Sequence, residues 1–214
     1  MTPFETLSIA VYGATVGVIL AAPIGPINIE IVRRGIRDGF LHGWLVGLGA
    51  LTADTFYALA IVLGFARFAE NEQIRVVLFL LGAGMMAFIG FGSIKTALDK
   101  HAADGVDTSP PRGRSYATGF LMAAFNPFGI VYWLTVGAGL AADAVNRAGP
   151  GAAPVLVIGV TLGILAWVTT LSVIAQVSRR FVTGNGMRWI TGFSGAVLLG
   201  FAAWFLVSGV RLLL

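Results

Sequence analysis

Apolar residues run through this chain in six blocks: Leu7 to Ile29, Phe40 to Phe65, Ile74 to Ile94, Tyr116 to Leu140, Pro154 to Val177 and Trp189 to Val210. Each is about the 20 residues that a helix needs to cross hydrocarbon. Polar residues gather in the connections, which at about 8 to 20 residues are too short for a soluble domain. The pattern predicts an all-α integral membrane protein of six transmembrane helices, a single domain over residues 1–214. Two blocks are interrupted, at Pro23-Ile24-Gly25-Pro26 and at Asn126-Pro127. Proline removes a helical hydrogen bond, and the stranded backbone groups survive in a membrane only where protein buries them or a polar cavity receives them. In transporters built from repeats, paired breaks of this kind point to the substrate site.

The stretch from Asp99 to Arg114 carries Asp104, Gly105, Asp107, Ser109, Pro110 and Pro111, a turn-rich linker that divides the chain into repeats of about 4–98 and 115–214. Three helices per half is an odd number, so two homologous halves must insert upside down relative to each other, with the first helix of each broken at proline. Ala21-Ala22-Pro23 sets against Ala123-Ala124-Phe125, and Leu48-Gly49-Ala50-Leu51 against Leu162-Gly163-Ile164-Leu165. The Gly13/Gly17 and Gly159/Gly163 pairs read most simply as packing faces.

Composition agrees with lipid surroundings: 57% of residues are hydrophobic and 11% charged. The net charge of +4 would suggest nucleic acid in a soluble protein, but here it falls on short loops and reports topology. Arg33, Arg34, Arg37, Lys95, Lys100, Arg112, Arg114, Arg179, Arg180 and Arg188 fall on one side, against Arg67, Arg75, Arg147 and Arg211 on the other. The richer side is cytoplasmic by the positive-inside rule, which places both termini outside. Met1 to Glu5 has no basic stretch, so the first block is expected to stay as a helix and not to be a cleaved signal. There is no cysteine for a disulfide, a zinc-thiolate site or thiol redox chemistry. His42 and His101 form no metal pair with a nearby ligand, and no cofactor is expected.

Asp54 is the sharpest candidate residue. It lies 14 residues into the second block, about 20 Å deep at the helical rise. A carboxyl at mid-membrane is costly and by default functional, facing a cavity, a partner or a proton path; the bland reading is structural glue to Thr52, Thr55 or Tyr57. Gly43, Gly47, Ala50, Asp54, Tyr57 and Ala58 share one helix face. Asn126 offers an amide to a zwitterion or to Asp54, or else caps its broken helix. Asn28 and Glu30 follow the first break towards the cytoplasmic mouth, where Glu30 either meets a cationic group or pairs with Arg33 or Arg34. Thr161, Thr169, Thr170, Ser172 and Gln176 are second-rank, because such hydroxyls usually bond their own backbone. Trp133, Trp167, Trp189 and Trp204 fit either interfacial belts or a gate.

Pro23-Ile24-Gly25-Pro26-Ile27-Asn28, the run Arg34-Gly35-Ile36-Arg37-Asp38-Gly39, the Gly47-Leu48-Gly49-Ala50 approach to Asp54, and Asn126-Pro127 together resemble the LysE/RhtB family of bacterial amino-acid exporters. The resemblance covers essentially the whole chain. It implies a six-helix inner-membrane protein, a homodimer, that expels amino acids or related solutes on the proton gradient. The chain departs from the Pro-Gly-Pro of many neutral-amino-acid exporters of that kind in having Ile24 and Glu30.

The residues point to a secondary exporter of small zwitterionic or cationic metabolites working by alternating access. Pro23, Gly25, Pro26, Asn28, Asn126, Pro127 and Tyr57 are expected to bind substrate, Asp54 to couple protons, and Glu30 to stand at the mouth. A divalent-cation exporter is the alternative within transport, short of ligands for its cargo. A membrane enzyme or assembly subunit is the alternative outside it, and the blocks hold no Ser/His, His/Glu or paired-Asp constellation for hydrolysis.

Overall fold

The computed structural model describes residues 1–23, 25–63, 72–98, 111–182 and 185–212, and these contain helices and turns but no strand. Helix α1 (Pro3–Ala21) opens on a capping box: the Glu5 amide donates to the Thr2 hydroxyl at 3.2 Å and the Thr2 amide to the Glu5 carboxylate at 2.7 Å. After the first break come α2 (Pro26–Arg37), α3 (Phe40–Val62) and α4 (Glu72–Leu98). The second half runs α5 (Arg112–Ala124), α6 (Pro127–Tyr132), a π-helical turn (Trp133–Gly137), α7 (Ala138–Ala148), α8 (Ala152–Ser178), a 3₁₀ turn (Arg179–Phe181) and α9 (Asn185–Arg211).

Four helical stretches are long and apolar enough to cross a membrane: Pro3–Ala21, Val76–Leu98, Ala152–Phe181 and Asn185–Arg211. Their outer faces carry exposed Phe4, Leu7, Ile19, Phe88, Phe91 and Phe193, a surface that water would penalise and lipid does not. Helix α3, with 23 residues, also has the length to span, about 34 Å.

The helices pack in pairs, α1 on α8, α3 on α5 and α4 on α9. Glycines set the closeness of the first two seams. A Cβ on Gly17 would collide with the Val160 carbonyl and one on Gly163 with the Ala14 carbonyl; one on Gly119 would collide with that of Val46 and one on Gly49 with that of Tyr116. With little hydrophobic drive between helices in lipid, such backbone contact supplies the association. A second core of fully buried Met86, Met122, Leu198 and Phe205 joins α4, α5 and α9.

Two element boundaries differ from the expectation. The Arg34-to-Gly39 run was expected as a basic loop, but α2 continues helically to Arg37 and turns at Gly39, whose φ of 97° suits glycine. The fourth block continues as helix to Ala148, because an Asp143–Arg147 pair at 2.9 Å extends α7 past the apolar stretch. Of the linker, residues 99–110 lie outside the described residues, as do Ile24, Gly64, Phe65, Arg67, Lys100 and His101, while Arg112 and Arg114 open α5.

Candidate functional site

The first break separates the end of α1 from Gly25, the extended N-cap of α2 (φ −128°, ψ 178°), with Pro26 at the first helical position. The Asn28 amide reaches back and donates to the freed carbonyls of Ala21 at 2.7 Å and Pro23 at 2.8 Å. Its oxygen accepts from the Trp167 indole at 3.4 Å. Asn28, expected as a substrate ligand, thus holds the break in shape.

At the second break Pro127 has no N–H for the Ala123 carbonyl, and the backbone N–H of Asn126 donates to that carbonyl instead at 3.0 Å. The next stranded carbonyl, of Ala124, accepts the Tyr57 hydroxyl at 2.6 Å. Tyr57, also expected to bind substrate, seals the end of α5 from α3. Asn126 sits directly before Pro127, at the N-cap of α6.

The two breaks wall one cavity of about 630 Å³, lined by Pro23, Gly25, Pro26 and Asn28 from the first, Asn126 from the second, and Asp54 from α3. Gly47 and Ala50, two turns and one turn before Asp54, share that wall. The size falls in the range of small-molecule sites, and so does the makeup, a few polar groups on apolar walls that include Trp204 and Phe205. The Asp54 carboxylate accepts the Trp133 indole N–H at 3.1 Å. Trp133 opens the π-helical turn, a rare geometry that recurs at functional sites.

Trp133, which the sequence leaves open between belt and gate, lines the cavity beside Asp54. A signal for it existed: Asn126, Gly129 and Trp133 fall at i, i+3 and i+7, the spacing of one helix face, and all three line the cavity. Among the second-rank hydroxyls, Thr169 donates to its own helix at Leu165 and receives the Trp44 indole, and Gln176 accepts the Phe40 amide.

Glu30 stands away from this cavity. It is fully buried and takes Arg33 in a fork (2.9 and 2.6 Å) and Arg34 at 2.6 Å. Arg34 reaches on to the Ser115 and Thr118 hydroxyls of α5 at 2.7 and 3.0 Å, tying the two halves of the chain together. Burial desolvates the cluster, and one carboxylate holds two guanidiniums. Glu30→Gln should therefore cost about 3–5 kcal/mol by leaving buried cations unpaired, read as a lowered unfolding temperature in detergent. An unchanged unfolding temperature with altered transport would favour the mouth role over the structural one.

A bundle of membrane-length helices, with two broken helices and an acid walling one internal cavity, defines a multi-pass helical membrane protein. The chain belongs to the LysE type translocator family, whose profile matches residues 18–209. YcgF of Bacillus subtilis, named for amino acid efflux, is 30% identical over 92% of this chain and 95% of its own length. The threonine efflux protein of Escherichia coli K12 is 27% identical over 91% of this chain and 96% of its own. The chemotactic transduction protein ChpE of Pseudomonas aeruginosa is 28% identical over 83% of this chain and 87% of its own. No solved structure matches the chain.

Proposed function

We propose that this chain exports amino acids or related small zwitterionic metabolites across the inner membrane, coupled to protons through Asp54. The observation that carries the reading is the single cavity on which Asp54, Asn126 and the first break converge. The N-terminal end of α2, at Gly25, turns its partial positive charge towards this space and favours a carboxylate. Asp54 favours the ammonium. A carboxylate occupied by an ammonium cannot also hold a proton, so the two ligands exclude each other on Asp54, which is the condition an antiporter needs. The names of YcgF and the threonine efflux protein support this substrate class. The divalent-cation alternative lacks a cage: among the described residues no group of three or more His, Cys, Asp or Glu is placed to hold a metal.

In this reading six crossings form one domain of two inverted repeats, and the glycine seams support it. Under the alignment that sets Ala21 on Ala123 and Gly49 on Gly163, the contact of Gly17 with Val160 maps onto that of Gly119 with Val46. The contact of Gly163 with Ala14 likewise maps onto that of Gly49 with Tyr116. Pairs related by sequence alone thus recur as pairs in space. Alternating access is then the rocking of one half against the other around the fixed cavity.

Purified protein in liposomes, loaded with radiolabelled amino acids and given an imposed pH gradient, should move zwitterionic solutes against their gradient. Collapse of that movement by a protonophore is expected, and transport indifferent to the gradient would overturn the coupling. Both termini are proposed to lie outside. In this cysteine-free chain, single cysteines at Asp107 and Asn146 should accept an impermeant maleimide from opposite sides, Asn146 from outside. Labelling of both from one side would sink the six-crossing topology.

A further inference from the structure

A second cavity, of about 540 Å³, opens between α2, α4 and α5, and it shares no lining residue with the central one. Along α5 the cleft touches Arg114 and Thr118, the central cavity touches Ala123, and fully buried Met122 stands between them. Five cationic side chains line the cleft: Arg33, Arg34 and Arg37 from α2, Lys95 from α4 and Arg114 from α5. Among the described residues they meet two carboxylates, Asp38 in the wall and Glu30 behind it, so three positive charges are left over. The opposite wall is apolar, made by Met85, Phe88, Ile89 and Phe91 of α4. Phe88 and Phe91 are 70% and 65% exposed.

We infer that this cleft binds an anionic phospholipid, with its phosphate at Lys95 and Arg114 and an acyl chain along Phe88 and Phe91. The layering decides the occupant. Lys95 lies in the last turn of α4 and Arg114 in the first turn of α5, where the two helices meet the linker, and in this inference these ends stand at headgroup level. Phe88 lies two turns before Lys95 on the same helix, about 10 Å deeper at the helical rise. Charge at headgroup level over an apolar wall is the order of groups in a phospholipid. A free amino acid or inorganic phosphate would leave the phenylalanine wall without a partner. Basic pockets between membrane helices on the cytoplasmic side take anionic headgroups for the same reason. The ion pairs of Glu30 with Arg33 and Arg34 keep the inner edge of the cleft rigid, so the site exists before the lipid arrives.

The inference needs the chain to lie in a membrane but does not rest on transport, and its test uses binding. Detergent-solubilised protein is titrated with phosphatidylglycerol and, separately, phosphatidylcholine, with bound lipid counted by native mass spectrometry. Wild type should bind phosphatidylglycerol at least tenfold more tightly. Lys95 and Arg114 are both exposed, so Lys95→Gln/Arg114→Gln should fold normally. That variant should lose about thirtyfold in affinity for phosphatidylglycerol, and Lys95→Gln alone about fivefold. Arg179→Gln/Arg180→Gln, which removes charges outside the cleft, should bind as wild type. Equal binding of both lipids, wild-type affinity in the cleft variant, or an equal loss in the Arg179/Arg180 control would overturn the site as general surface attraction. Displacement of phosphatidylglycerol by inorganic phosphate alone would overturn the lipid assignment and mark a small-anion site.

Discussion

Asp54→Asn should leave a folded, membrane-inserted protein whose solute efflux no longer responds to a proton gradient. Asparagine matches aspartate in shape, and its amide oxygen still accepts the Trp133 indole that now bonds Asp54 at 3.1 Å. The seam of α3 with α5 is set by Gly49 and Gly119 and does not involve the carboxyl. Stability should therefore stay within about 1 kcal/mol of wild type, the range of a single neutral hydrogen bond. What disappears is the titratable charge for which, in the proposed function, proton and ammonium compete. Measured in proteoliposomes, gradient-driven efflux should fall to background while binding of a zwitterion, held also by the N-terminal end of α2, weakens without vanishing. Efflux at the wild-type rate with its pH dependence intact would reduce Asp54 to a structural partner of Trp133. Loss of folding would do the same, since a coupling residue is not required for the packing.

Much of this arrangement was legible in the chain because it is written locally. A block of apolar residues reports its own membrane length, and Pro26 and Pro127 each strike out a hydrogen bond wherever they sit. Asp54 stands out against an apolar block in any fold. Other features depend on partners far away in sequence. The pairing of Glu30 with Arg33 and Arg34 could be read from helical spacing, but not the reach of Arg34 to Ser115 and Thr118, which needs α5 beside α2. Asn28 lines the cavity, as its place after a break suggests, but its bonds to Ala21 and Pro23 form only once the chain has turned back at that break. Tyr57 shares a helix face with Asp54 in the sequence, but the bond of its hydroxyl to the Ala124 carbonyl needs α5 beside α3. The end of α7 was missed because hydropathy marks where hydrocarbon stops, while the helix runs on as far as the Asp143–Arg147 pair supports it.

Filling either break should cripple transport while sparing the fold, and the glycines supply the contrast that makes this decisive. Gly25 has an extended backbone that any residue adopts, and a Cβ built there meets nothing closer than the Pro23 carbonyl at 4.0 Å. The space beside it is the cavity itself, not another backbone. Gly25→Val thus places its methyls in the space the substrate needs, and restricting the unfolded chain should hold stability within about 1 kcal/mol. For a chain of this size that is a shift of about 2–4 °C in unfolding temperature. Gly119→Val is the opposite case, because its Cβ would run into the Val46 carbonyl and force α3 off α5. It should be lost at the level of folding. At the second break Asn126→Leu keeps the side chain's bulk and removes its amide. If that amide meets a substrate carboxylate, the loss is about 1.5–3 kcal/mol, a ten- to hundredfold drop in efflux. Both cavity variants should insert and purify as wild type, and the two together should transport no better than the weaker one, since they act on one site. Wild-type efflux by Gly25→Val and Asn126→Leu would mean that solute passes elsewhere, and that the cavity between the breaks is not the route.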